Sequence, residues 1–229
     1  MTDYLIEFRF QGKAKSKLKQ LIWDVDKTCS LGTANKKRPV PHITIVTSFK
    51  TNNERQLIQD FYDVCSKTEL MKFTLKGFDT FEDNRVVFLD IKASKQLNNF
   101  RWNLYKLLKS YCDLKQIYYT QVYNFHSTIA MNLSPKKFKE VKRYIKKKHE
   151  LDFKHLVVRA TLLKNGFILK EYDFMQRKMF DRRLSKSKPV LNRTMGLLNK
   201  FFKGEYDPDK NIKFDKMSFW SKIKSIFSR

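Results

Sequence analysis

Pro-His-Ile-Thr-Ile-Val at 41–46 and Phe-His-Ser-Thr-Ile-Ala at 125–130 decide how this chain is read. Each holds a histidine, a spacer, a threonine and an aliphatic residue. In a strand, side chains two apart share a face. His42 and Thr44 then point one way and the isoleucines Ile43 and Ile45 the other, toward a core. The same holds for His126 and Thr128 against Ile129. Two such strands side by side bring two imidazoles and two hydroxyls into one cleft. One imidazole can take a proton while the other gives one. The hydroxyls can hydrogen-bond phosphoryl oxygens where charge develops. A lone strand histidine is ordinarily a surface or core residue. Here two of only four histidines in the chain sit in matching tetrads, 84 residues apart.

The order of elements around the tetrads predicts an α+β fold. Tyr4 to Phe10 alternates as a strand. Residues 14–29 place Leu18, Leu21, Ile22, Val25 and Cys29 on one helical face. Strand 41–46 follows, then a helix over 53–66 and strands near 70–80 and 85–92. The second half runs similarly: a helix over 95–112, the His126 strand, and a helix begun by Ser134 as N-cap with Pro135 in its first turn. A hairpin of 154–164 and 167–173 turns at Asn165-Gly166, a strong two-residue turn signal. Beyond the tetrads the halves are too dissimilar to show a duplication.

These tetrads, their spacing and their strand context resemble the 2H phosphoesterase superfamily, which includes the bacterial and archaeal 2'-5' RNA ligase-like proteins. The stretch 160–174 is similar to the closing hairpin of archaeal-type members. The resemblance covers about residues 1–180. It implies a bilobal, pseudo-twofold arrangement of two antiparallel-rich sheets with flanking helices and a central cleft carrying both His-x-Thr strands. It implies a metal-independent phosphoesterase, acting on RNA 2',3'-cyclic phosphate ends or 2'-5' linkages, with His42, Thr44, His126 and Thr128 as catalytic residues and no cofactor. Two alternatives stay open: a nuclease of the same superfamily that trims 3' ends or cleaves 2'-5' oligonucleotides, and a non-catalytic RNA-binding module.

Composition points to the same partner. The 229 residues carry a net charge of +25, with 20 Phe and 10 Tyr to build a core. Self-repulsion of that size is best tolerated beside a polyanion: RNA first, an anionic membrane surface second. Lysine outnumbers arginine, which suits phosphate contact more than bidentate base reading. Candidate substrate residues are Lys36, Lys37 and Arg38 in the loop before the first tetrad, with Tyr123 before the second and Tyr172 in the hairpin. His149 and His155 lack a partner threonine in strand spacing and are left out of the site. Cys29, Cys65 and Cys112 form no CxxC and read as core thiols of a reducing compartment. With no signal peptide at the N-terminus and no spanning apolar run, the expectation is a cytoplasmic monomer.

The character changes near Arg182. Residues 1–183 are expected to form the catalytic domain and 184–229 a basic extension with 11 Lys/Arg against 4 Asp/Glu. A helix is expected over 190–202. A second, over 216–228, gathers Phe219, Trp220, Ile223, Ile226 and Phe227 in one arc. Such a stripe docks on the catalytic domain, on a partner protein or on an anionic membrane. Since both tetrads and the hairpin precede it, the extension is expected to be dispensable for catalysis.

Overall fold

The computed structural model describes residues 2–33, 40–116, 120, 123–148 and 152–212. Among them nine strands form two antiparallel sheets. The first sheet contains β1 (Thr2–Arg9), β2 (His42–Thr51), β7 (Arg159–Lys164), β8 (Phe167–Asp173) and β9 (Lys178–Asp181), in the order β2-β1-β7-β8-β9. The second contains β3 (Lys72–Phe81), β4 (Val86–Ala93), β5 (His126–Ala130) and β6 (Asp152–Leu156), in the order β5-β4-β3-β6. The helices are α1 (Gly12–Thr28), α2 (Glu54–Lys67), α3 (Lys95–Leu108), α4 (Pro135–Lys146), the short α5 (Arg182–Ser185) and α6 (Lys188–Phe202). Helices α2 and α3 pack together, with α3 on β2 and α2 on β8; α1 and α4 pack together, with α1 on β5 and α4 on β4.

The helices begin where side chains can satisfy otherwise unpaired N–H groups. Asn53, Ser94 and Ser134 each accept a hydrogen bond from the backbone three residues on, and Pro135 opens α4. Asn165 and Gly166 both take positive φ, 49° and 77°, as a two-residue hairpin turn requires.

The sheets do not divide the chain into its sequence halves. β3 and β4, from the first half, pair with β5 and β6 from the second, while β1 pairs with both β2 and β7. The run expected as one strand over 154–164 is two strands in different sheets. β6 pairs with β3, and after Val157 and Val158 the chain crosses over so that β7 pairs with β1. A run with no Gly or Pro to break it reads as one strand because alternation says nothing about which sheet supplies the partner. The short edge strand β9 was not foreseen.

The core is contiguous and aromatic. Phe8 meets Phe100 of α3 at 5.4 Å between ring centroids, and Phe10 meets Phe73 at 5.7 Å. Cys29 and Cys65 are buried, Cys112 is half-buried and all three are free thiols. Among the described residues no helix is long and apolar enough to cross a membrane.

The described part of the 184–229 segment is stitched to the body. Thr194 of α6, fully buried, accepts a hydrogen bond from Arg159 Nη2 at 2.7 Å and donates to Asp173 Oδ2 at 2.6 Å. Arg159, itself buried, pairs with Asp173 at 2.7 Å and with Glu171 at 2.8 Å. Burial raises the Glu171 carboxyl above its ordinary range, and Arg159 opposes that rise. Further on, Asp209 accepts hydrogen bonds from the Leu70 amide and pairs with Arg177. The apolar stripe at 216–228 lies outside the described residues.

Candidate active site

β2 and β5 are the edge strands of their sheets and lie against each other. Along β2, His42 and Thr44 are half-exposed while Ile43 and Ile45 are buried. Along β5, His126 and Thr128 are half-exposed while Ser127 and Ile129 are buried. Alternation thus turns both tetrads as the sequence pattern requires, and the fold brings the two His-x-Thr pairs together. The charge of His42 is near enough to lower the proton affinity of His126.

Both imidazoles are held in the same way. Nδ1 of His42 lies 2.9 Å from the carbonyl of Val40, and Nδ1 of His126 lies 3.0 Å from the carbonyl of Asn124. A carbonyl only accepts, so Nδ1 carries the hydrogen in each ring and Nε2 is left as the nitrogen that exchanges protons. The two-residue offset is the same in both tetrads.

Their surroundings differ. Glu7 and Arg9 of β1 pair in register with Thr44 and His42, so they share the histidine's face. The Glu7 carboxylate is buried, lies 2.5 Å from Arg9 Nε and 3.7 Å from His42 Nε2. It forms an ion pair with His42 whenever that ring is doubly protonated. His126 sits instead among aromatics, 5.0 Å from the Phe81 ring and 5.1 Å from Phe88. Burial there pushes its proton affinity down, and His42 adds to that. The Asn124 carbonyl and Asp90, its register partner on β4, oppose it.

Lys36, Lys37 and Arg38 lie outside the described residues. The Tyr123 ring packs 4.9 Å from Phe125, with the Arg101 guanidinium 4.1 Å over it. Tyr172 is a core residue, 1% exposed, against Phe174 and Tyr62. Its strand neighbours Glu171 and Asp173 hold the face continuous with Glu7 and His42, so alternation turns Tyr172 away from it. His155, left out of the site, is stacked on Phe10 at 5.7 Å and edge-on to Phe73 at 5.4 Å. Burial lowers its pKa to about 4.

Sequence reading missed Glu7, Arg9, Phe81 and Asp90 as neighbours of the histidines. The first two carried a signal, being charged residues at alternate positions inside an otherwise apolar strand. Phe81 and Asp90 carried none, because only strand register brings them to His126. Among the described residues no group of three or more His, Cys, Asp or Glu side chains is placed to hold a metal ion.

A fold of two antiparallel sheets whose touching edges each present a His-x-Thr pair defines a class, and comparison agrees with it. The family model of the 2'-5' RNA ligase superfamily matches residues 14–166, well over half of the chain. The chain belongs to that superfamily, a group of phosphoesterases and RNA ligases. No curated protein sequence matches. Solved structures similar to the chain include apo LigT of E. coli, at 13% identity over 75% of this chain and 96% of that one, with a TM-score of 0.46. A crystal structure described as a phosphoesterase matches at 12% identity over 79% and 93%, with a TM-score of 0.45. Usb1 of Kluyveromyces marxianus matches at 7% identity over 72% and 95%, with a TM-score of 0.43.

Proposed function

We propose that this protein is a metal-independent phosphoesterase that opens 2',3'-cyclic phosphate ends of RNA, or cleaves 2'-5' linkages, by two-histidine acid/base catalysis. The observation that carries the reading is the matched pair of imidazoles, each with Nδ1 tied to the carbonyl two residues before it and Nε2 left to exchange protons. In the hydrolytic direction His126, kept neutral by burial, removes the proton from the attacking water. The water oxygen bonds to phosphorus as the bond to the leaving ribose oxygen breaks. His42 gives that oxygen its proton, and Glu7 stabilises the imidazolium that does so. Thr44 and Thr128 donate hydrogen bonds to the non-bridging phosphoryl oxygens. The reverse sequence closes the ring or joins ends, with the two histidines exchanging roles.

The test is product analysis on an oligoribonucleotide ending in a 2',3'-cyclic phosphate, beside one containing a 2'-5' linkage, each with and without EDTA. Turnover unchanged by EDTA is expected. If every cyclic, 2'-5' and 3'-end substrate is left intact while the protein still binds RNA, it is a binding module and the catalytic reading is overturned.

A further inference from the structure

Outside the histidine pair, a groove of about 700 Å³ is floored by α6. That volume is ordinary for a ligand cleft. Its apolar side is Met195, Phe201 and Phe202, and its charged side is Lys13, Lys72 and Lys154. No acidic side chain is among the described residues that line it. Phe202 is 69% exposed and lies 5.8 Å from the Phe201 ring, an unusual place for an aromatic side chain.

Strand register connects this groove to the histidines. His126 pairs with Asp90; two residues on, Lys92 pairs with Thr74, and Thr74 pairs with Lys154. Lys72 is two residues from Thr74 on the same strand. One face of the second sheet therefore runs from His126 past Lys92 to Lys72 and Lys154. Lys72, Lys92 and Lys154 are all exposed. Three strand spacings separate β5 from β6, about 14 Å, beyond the reach of one nucleotide. On the other sheet, Thr161, Glu171, Arg159 and Asp173 continue the face of Glu7 and His42, and α6 is seated on that face through Thr194. The helix thus closes the distal end of the surface that the histidines share, and it lies beyond the residues 14–166 that match the superfamily.

We infer that α6 and the lysines facing it form a second subsite of the catalytic cleft, which seats a nucleotide flanking the reacting phosphate of a single-stranded RNA. The lysines meet its backbone phosphates, and the Phe201 and Phe202 rings offer a base a stacking surface that is indifferent to sequence. Charge decides the class of occupant: an apolar floor rimmed by lysine, with no acidic side chain among its described lining residues, fits a polyanion carrying flat apolar groups. This inference rests on the RNA reading of the cleft and extends it from the reacting end to the body of the substrate.

Two measurements on the full chain test it. The first is equilibrium binding of a fluorescent single-stranded oligoribonucleotide several nucleotides long; the second is turnover of a dinucleotide bearing a 2',3'-cyclic phosphate. Phe202→Ala removes an exposed ring, and the double variant Lys72→Glu with Lys154→Glu reverses exposed charges, so neither disturbs the core. Each is expected to weaken oligonucleotide binding about tenfold or more while dinucleotide turnover stays within about twofold of wild type. Equal binding by wild type and Phe202→Ala overturns the inference, and so does a matching loss on the dinucleotide, which would place the ring at the chemistry. Binding is read without turnover. A wild type that binds RNA but turns over nothing would sink the catalytic proposal and leave this measurement standing.

Discussion

The tetrads at 42–45 and 126–129 are nearly the same in sequence, and the fold treats them alike at close range. Each is an edge strand, each buries its aliphatic residue, and each imidazole is fixed by a carbonyl two residues earlier. The difference lies one strand away. β1 brings His42 a carboxylate and a guanidinium, whereas β4 and the end of β3 bring His126 two phenyl rings and a carboxylate. Two copies of one motif are thereby given different surroundings, and burial among the rings lowers the proton affinity of His126. A pair of identical imidazoles would have to break its symmetry with the substrate; here the neighbouring strands break it beforehand.

The comparison breaks outright if the histidines are not both chemical. His42→Ala and His126→Ala are each expected to lower turnover by about 10²–10⁴-fold, with the fold intact by circular dichroism. Unfolding of either variant would make that residue a packing element. Thr44→Ala and Thr128→Ala are expected to cost about tenfold each, the share of one hydrogen-bond donor to a charged oxygen.

Smaller changes sharpen the comparison by acting on one side only. Burial holds His126 below its ordinary pKa, so it remains a neutral base as the pH falls to its lowered value. Phe81→Ala lets water reach the ring, and its pKa moves back up. The acid limb of kcat/KM against pH should then shift to higher pH, so that activity is lost earlier on acidification. A limb that stays put would remove His126 from the role of base. Glu7→Gln keeps the shape but deletes the charge beside His42. Turnover should fall by less than His42→Ala costs, with the limb assigned to His126 unmoved.

His155 serves as a third imidazole without a tetrad. Its folded pKa of about 4 lies below the unfolded value of about 6.5. Between those values the unfolded chain binds a proton that the folded chain refuses, so stability is full above pH 6.5 and falls as the pH drops toward 4. The loss is up to about 3 kcal/mol. His155→Phe should flatten that part of the denaturation curve against pH and leave turnover unchanged. An unaltered acid dependence would mean that the ring is more hydrated than its stacking on Phe10 implies.

The chain's own local pattern settled the inward and outward faces of both tetrads, the α+β class, the helices over 53–66 and 95–112, the helix start at Ser134, and the turn at Asn165-Gly166. All of these are local: they depend on periods of 2 and 3.6 residues and on hydrogen bonds that span three. What alternation could not settle is which strand pairs with which. That β3 and β4 join β5 and β6, that the run at 154–164 divides between two sheets, that Tyr172 packs against Phe174 while Glu171 meets Arg159 on the opposite face, and that α6 seats Thr194 on Arg159 are all matters of register between distant segments. So is the difference between the two histidines. A proton's affinity is set by what lies within a few ångströms in space, and Phe81 stands 45 positions from His126 in the chain while its ring lies 5.0 Å from the imidazole.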